Sequence, residues 1–239
     1  MNTASEYGGQ GAGISPEFYA TLGLGLDTRQ GVAYAGVQRL IEKYCSGAQR
    51  AIDHGSGAGR STRFLKELGL KEVVGVDVNE DMLKKAMERQ IPGTSYRLIS
   101  SGTLPFKEES FDLAFSGIVF VEIPTGEEMR NVLTELKRVT KKEGMVMILT
   151  CTKAGYITDS DAFRCLLSED EKKNLKDGDV VPTGIRGSDQ VFTDYFWSDA
   201  FYKRMLKEVG LALVETHMPV AEGMPSSEAC YVIYVCKKA

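Results

Sequence analysis

The run Ala51-Ile52-Asp53-His54-Gly55-Ser56-Gly57-Ala58-Gly59 constrains the fold of this chain more than any other feature. It reads as a buried strand that ends in a glycine-rich turn, and the turn opens a helix. Glycine tolerates positive φ and has no Cβ to block a ligand, so such a turn brings the free N–H groups of a helix start close to whatever lies above it. A second strand, Glu72–Asp77, ends in a carboxylate. A carboxylate at that point can accept both hydroxyls of a ribose, as in nucleotide-binding βαβ units. The expected ligand of this half of the chain is an adenosine-containing cofactor.

The spacing of the glycines narrows the choice. A dinucleotide site asks for Gly-x-Gly-x-x-Gly, and here Arg60 occupies the third place. The frame that fits is Asp53-x-Gly55-x-Gly57-x-Gly59. An acidic residue two positions before the first glycine repels a pyrophosphate and suits a ligand with an ammonium group and a sulfonium. In these residues the chain resembles the class I S-adenosylmethionine-dependent methyltransferases. The resemblance covers residues 45 to 150 well and 197 to 237 in outline.

The resemblance implies S-adenosyl-L-methionine as cofactor, and it implies site residues. Asp53 and Gly55, with Ser56 in the same turn, face the methionine part, and Gly57 lets the backbone approach the ribose. Asp77 takes the ribose hydroxyls, and Val78 and Met82 flank the adenine. Leu104-Pro105-Phe106 and Phe111-Asp112 look like the family's segment before the fourth strand. Many relatives carry an acidic residue four positions before that leucine, which accepts from the adenine amino group. Ser100 stands there in this chain, so the contact passes to a hydroxyl or carbonyl of the stretch around Ser101 and Gly102. Ser116 and Gly117 offer backbone carbonyls to the ammonium group, and Arg29 pairs with the cofactor carboxylate.

Periodicity supplies the remaining elements. Val32, Gly36, Val37, Leu40 and Ile41 form one face of a helix ending near Tyr44. Strands are expected at Arg50–Asp53, Glu72–Asp77, Tyr96–Ile99, Leu113–Ser116 and Met145–Thr150. Between them, Asn79, with Glu80 and Asp81 behind it, starts one helix. Thr125-Gly126-Glu127-Glu128 starts another as a capping box, and Gly144 is expected to stop it. Such β–α alternation predicts an α/β fold with a doubly wound, mostly parallel sheet. Ser198 starts a last helix, and the strands Leu211–His217 and Cys230–Val235 are joined without a helix, so they are expected to pair antiparallel. That gives a seven-stranded Rossmann-like methyltransferase sheet with one antiparallel strand. Residues 1–44 read as an N-terminal cap segment and helix, and 45–239 as the methyltransferase domain. Residues 153–196 interrupt that domain without a clean period and read as a lid insertion, because long excursions of this kind form binding elements.

Composition excludes several partners. The 239 residues carry a net charge of −4 and no basic block, so the electrostatic footprint of a nucleic-acid binder is missing. The apolar runs are far shorter than a membrane span. The five cysteines form no C-x-x-C pair and no metal-ligand spacing is present, so free thiols, a cytoplasmic protein and no metal are expected.

The reading is a methyltransferase acting on a small molecule. A sulfonium is already an activated donor, so alignment and dehydration do most of the work. A general base is needed only where the acceptor must lose a proton. The candidates are Glu122, six residues beyond the fourth strand, and His217, at a strand end and ionisable near neutral pH. Aromatic residues outside the core pattern, Tyr7, Phe18, Tyr19, Tyr195, Phe196 and Trp197, suit a sulfonium and a flat acceptor. Three alternatives remain open on sequence alone. They are a protein or peptide methyltransferase, a nicotinamide-dependent oxidoreductase, and a non-catalytic S-adenosylmethionine-binding module.

Overall fold

The computed structural model describes residues 15–17, 29–160, 162–225 and 228–239. Tyr7, Phe18 and Tyr19 lie outside the described residues, and so does the side chain of Arg29. The first described helix is α1, Arg29–Tyr44. There follow β1 (Arg50–His54), α2 (Arg60–Glu67), β2 (Glu72–Asp77), α3 (Glu80–Met87), β3 (Thr94–Leu98) and β4 (Phe111–Gly117). A 3-10 turn, Phe120–Glu122, precedes α4 (Gly126–Val139) and β5 (Thr140–Cys151). Next come α5 (Lys153–Ile157), β6 (Phe163–Cys165), α6 (Glu169–Asn174), β7 (Val180–Ile185) and β8 (Val191–Tyr195). The chain closes with α7 (Asp199–Glu208), β9 (Leu211–His217) and β10 (Tyr231–Lys238).

The main sheet has the order β3-β2-β1-β4-β5-β10-β9. β1 to β5 run parallel, and β10 lies antiparallel between β5 and β9. This is the expected seven-stranded arrangement with one antiparallel strand. The sheet is apolar on both faces because each strand alternates between two cores. Ile52, Ala114, Ile148 and Tyr234 face one way and pack with Met129, Leu133 and Leu136 of α4 and with Tyr202 and Met205 of α7. Ala51, Leu113, Phe115, Met147 and Ile233 face the other way and pack with Tyr34, Val37 and Leu40 of α1 and Leu65 of α2. The order reverses between β1 and β4, and that switch point opens a crevice at the carboxyl ends of the strands.

Local signals set most helix starts. The Asn79 side chain accepts from the N–H groups of Asp81 and Met82, and Ser198 accepts from Phe201. Thr125 accepts from the Glu128 N–H, which is the forward half of the expected capping box. Gly69 follows α2 with φ of 95°, a left-handed position that favours glycine.

Two elements differ from expectation. α4 ends at Val139, not Gly144, and β5 begins directly at Thr140. The paired β-branched residues leave the helix, and the Thr140 hydroxyl donates to the Leu136 carbonyl at 2.6 Å. Gly144 instead lies within β5, where an added Cβ would stand 2.7 Å from the Asp112 carbonyl oxygen. The second difference is the excursion after β5, which folds as a three-stranded antiparallel sheet, β6-β7-β8. Pro182 and Gly184 disguise its middle strand, since proline cannot donate to a ladder. The strand tolerates Pro182 because β6 pairs only with Thr183–Ile185.

Candidate functional site

A cavity of about 220 Å³ runs from the carboxyl ends of β1, β2 and β4 to β5, α5 and the β6-β7-β8 sheet. Its first half is built by the glycine turn. Gly55, Gly57 and Gly59 hold φ of 69°, 50° and 81°, the left-handed region where side chains are costly. The turn is pinned to β2, because the N–H groups of Gly55 and Ser56 donate to the Val76 carbonyl at 2.8 and 3.0 Å. A Cβ on Gly55 would stand 2.1 Å from Val119 Cγ2, so the turn presses against the segment that follows β4. A Cβ on Gly57 would meet nothing within 4 Å, so the backbone is bare on that side.

Asp77 braces the turn from the end of β2. Its Oδ2 accepts from the Gly57 N–H at 2.7 Å and its Oδ1 from the Asn79 N–H at 2.9 Å. Burial raises its pKa while these N–H bonds oppose the rise. The Val78 N–H also bonds to it, and a carboxylate has about four acceptor positions, so capacity remains toward the cavity. Val78, Met82, Ile99 and Ser101 continue the wall beside it.

Asp53 is placed differently from the expectation. It is fully buried and is not on the cavity wall. Its Oδ2 accepts from Ser61 Oγ at 2.7 Å and Thr62 Oγ1 at 2.6 Å, both in the first turn of α2. Its Oδ1 is buried without a hydrogen-bond partner among the described residues, as is Ser56 Oγ. Burial drives the Asp53 carboxyl up to about 7, against the pull of the two hydroxyls. The next residue, His54, does reach the cavity. Its Nδ1 lies 3.2 Å from Ser116 Oγ, and burial lowers its pKa to about 4, so the ring is neutral at pH 7.

Three other expected residues stand off the wall. Ser116 is fully buried in the ladder between β1 and β5, with its hydroxyl beside His54, and Gly117, one residue on, lines the cavity instead. Gly102 lies behind the wall, with an added Cβ 3.3 Å from Asn131 Cβ. His217 is carried to the far edge of the sheet by β9 and packs on Gly36 of α1, away from the cavity. Burial there lowers its pKa. Of the late aromatics, Phe196 and Trp197 are core residues, and the Trp197 indole donates to the Ile123 carbonyl at 3.1 Å.

The second half of the cavity begins after β4. Ile118 holds φ of 60°, a strained position for a β-branched residue, and its N–H donates to the Leu149 carbonyl at 2.8 Å. The chain then passes Val119 and Val121 to Glu122, which is half-buried on the wall. Opposite stand Cys151, Tyr156, Phe163, Thr183, Phe192 and Asp194. The Tyr156 hydroxyl donates to the Tyr195 carbonyl at 2.8 Å, tying α5 to β8. Sequence reasoning missed Asp194 and also Arg60 and Tyr34, which line the first half. Arg60 lies over the Tyr34 ring, 5.7 Å from its centre. The only cue to Arg60 was its place at the helix start. Asp194 gave no cue, because the chain reaches the cavity there from a strand hidden in the excursion.

Residues 52–148 match the family model described as a methyltransferase domain. An uncharacterized methyltransferase of Schizosaccharomyces pombe is 35% identical over 115 residues, which cover 44% of this chain and 40% of that protein. A malonyl-[acyl-carrier protein] O-methyltransferase of Halorhodospira halophila is 33% identical over 105 residues, 43% of this chain and 35% of that protein. The matches thus span less than half the length of these relatives. A solved S-adenosylmethionine-dependent methyltransferase of Clostridium acetobutylicum superposes with a TM-score of 0.68 at 12% identity, covering 92% of this chain and 94% of that one. The CcbJ methyltransferase of Streptomyces caelestis gives 0.68 at 18% identity, covering 88% and 96%. These two share the fold.

Proposed function

Residues 52–148 form a methyltransferase domain of the class I S-adenosylmethionine-dependent family, and from that premise we propose that the chain transfers a methyl group to a small-molecule acceptor. The observation that carries the proposal is the continuity of the cavity from the glycine turn and Asp77 to Glu122 and Asp194. A donor in the first half and an acceptor in the second would share one enclosed space.

The residues present fit the cofactor. Gly57 leaves bare backbone where a bulky ligand must approach, and Asp77 keeps acceptor positions for hydroxyls. Ser56, which lines the cavity, has a hydroxyl without a hydrogen-bond partner among the described residues. When bound, S-adenosylmethionine supplies a methyl group on a sulfonium, already activated for in-line displacement. Asp77 would hold the ribose hydroxyls, while Val78, Met82 and Ile99 would enclose the adenine, with Ser101 at its edge. The Gly117 carbonyl would meet the ammonium group, and Arg60 the carboxylate. Val121, Tyr156 and Phe192 would exclude water from the line of attack. Glu122 would accept the acceptor's proton. The β6-β7-β8 sheet would close over the acceptor.

Calorimetry tests the reading. S-adenosylmethionine and S-adenosylhomocysteine should bind, and NAD and NADP should not. Tight NAD binding would sink the proposal. Turnover of a peptide with no turnover of small acceptors would move the acceptor to a protein chain.

A further inference from the structure

The register of the β6-β7-β8 sheet decides which of its side chains meet the cavity. Phe163 stands opposite Ile185, Thr183 opposite Phe192 and Val181 opposite Asp194. Side chains alternate along a strand, so these six share one face. That face is the inner one. Val181 and Ile185 are almost wholly buried, and Val181 packs with Val121 of the 3-10 turn and Tyr156 of α5. Val180 and Val191, on the other face, are exposed. Asp194 is the only Asp, Glu, Lys, Arg or His that these three strands turn inward.

Among the described residues no hydrogen bond reaches the Asp194 carboxyl. The Tyr156 hydroxyl on the same wall donates to the Tyr195 carbonyl at 2.8 Å, and the Thr183 hydroxyl donates to the Val181 carbonyl at 3.4 Å. Burial raises the Asp194 pKa well above the ordinary value, with the Glu122 charge adding to the rise and no donor opposing it. Enclosed polar groups are ordinarily paired, and an unpaired one costs stability. For packing alone, a valine like the neighbouring Val181 would suit this face better. Asp194 lines the second half of the cavity with Phe163 and Phe192, whose rings meet edge to face at 5.5 Å. Such aromatic walls favour a flat ring.

We propose, resting on the methyl-transfer reading above, that Asp194 selects the acceptor by accepting a hydrogen bond from it, so that the substrate class is a flat ring bearing an O–H or N–H group. The donor comes from the substrate, because the described residues offer none to this carboxyl. The carbonyl oxygen of a protonated carboxyl accepts as a carboxylate does, so the contact does not wait on ionisation. A ring without a donor leaves the carboxyl unpaired, and a ring with one ends that cost. Selection of this kind is steep, since the wrong substrate leaves an enclosed polar group unmet. Asp194 touches the substrate and moves no proton; it fixes the orientation of the ring.

The test uses the full chain saturated with S-adenosylhomocysteine, whose own binding is measured first. No binding at that stage strikes the methyl-transfer reading, and the probes are then titrated without it, so the two failures stay separate. Calorimetry compares phenol and aniline with toluene, their isostere without a donor. At least one of the two should bind about tenfold more tightly than toluene, the scale of a hydrogen bond to a carboxylate. The tighter of the two identifies O–H or N–H as the group taken. Asp194→Val should abolish the preference and leave S-adenosylhomocysteine affinity at the wild-type value. It should also raise the melting temperature of the cofactor-free protein by about 2 °C or more, because an unpaired carboxyl is gone. Asp194→Asn, nearer in shape, should weaken the preference and melt no lower than wild type. Equal binding of toluene, or no binding of any probe at millimolar concentration, overturns the proposal. A lower melting temperature in both variants overturns it as well, since the carboxyl would then serve the fold. So does a loss of S-adenosylmethionine affinity without a loss of S-adenosylhomocysteine affinity in Asp194→Asn, since the carboxyl would then serve the sulfonium.

Discussion

The two halves of the cavity are made in opposite ways. The half at β1 and β2 is made of backbone: three glycines, two strand ends and one carboxylate that grips the turn. The half at β6-β7-β8 is made of side chains brought together from the 3-10 turn, β5, α5 and β8. Backbone geometry dictated by glycine fixes a site that every member of a fold can share. Side chains gathered over long sequence distances fix a site that each chain can set for itself. The contrast predicts that changes in the second half alter rate or acceptor choice, and that changes in the first alter cofactor binding.

Glu122→Gln gives the largest expected effect. It keeps shape and removes basicity, so the rate of methyl transfer should fall about 10²–10⁴-fold with cofactor affinity unchanged. His217→Asn is the matched control and should keep full activity, because His217 lies at the far sheet edge. Weaker cofactor binding in Glu122→Gln breaks the division into halves.

Gly55→Ala probes the seam. An alanine at φ of 69° carries left-handed strain and drives its Cβ into Val119. Together these should cost about 2–5 kcal/mol, read as a lowered urea midpoint. Gly57→Ala carries strain without the overlap, so it should cost about 1–2 kcal/mol in stability and still impair cofactor binding. Equal stability losses for the two variants would mean that the turn does not press on Val119.

Asp77→Ala should weaken S-adenosylhomocysteine binding by about 1–3 kcal/mol in a calorimetric titration. It should also lower stability, since the N–H groups of Gly57 and Asn79 lose their partner. Unchanged affinity would detach the end of β2 from the ribose.

The smallest effect is a pH dependence at Asp53. Its folded pKa of about 7 lies above the ordinary value, so the folded protein holds this proton more tightly than the unfolded chain. The stability it contributes is full below about pH 4 and is lost as the pH rises to about 7. Asp53→Asn removes that loss. The melting temperature of the variant relative to wild type, both without cofactor, should therefore climb between pH 5 and pH 8. A gain of about 1–2 kcal/mol corresponds to roughly 2–8 °C for a chain of this size. A flat difference would show that Asp53 ionises normally.

Legibility in the sequence follows the same division. The parallel strands, the glycine turn and the carboxylate at the end of β2 are local patterns, and the structure places them as the spacing implied. Where local pattern misled, an identifiable competing contact decided. Asp53 was drawn behind the turn by two hydroxyls on α2, and Ser116 is held inside the ladder between β1 and β5. Gly144 resembled a helix stop, but it serves a close backbone approach inside β5. The second half was nearly invisible because β6 is three residues long and β7 contains Pro182 and Gly184. No periodicity reveals that Asp194 will line the same cavity as Glu122, because that placement depends on how one sheet docks against another.

The place of β10 has a consequence for how such a chain is born. It follows β9 in sequence yet lies between β9 and β5, with Val232 to Cys236 almost wholly buried. During synthesis, β5 therefore emerges with an unpaired edge and keeps it while the whole excursion, α7 and β9 leave the ribosome. The partners of β9 in this sheet emerge only with residues 233 to 238. An open edge on a growing chain invites pairing with another nascent copy. The sheet is finished by a late insertion, and translation speed through residues 152 to 238 sets how long the edge stays open.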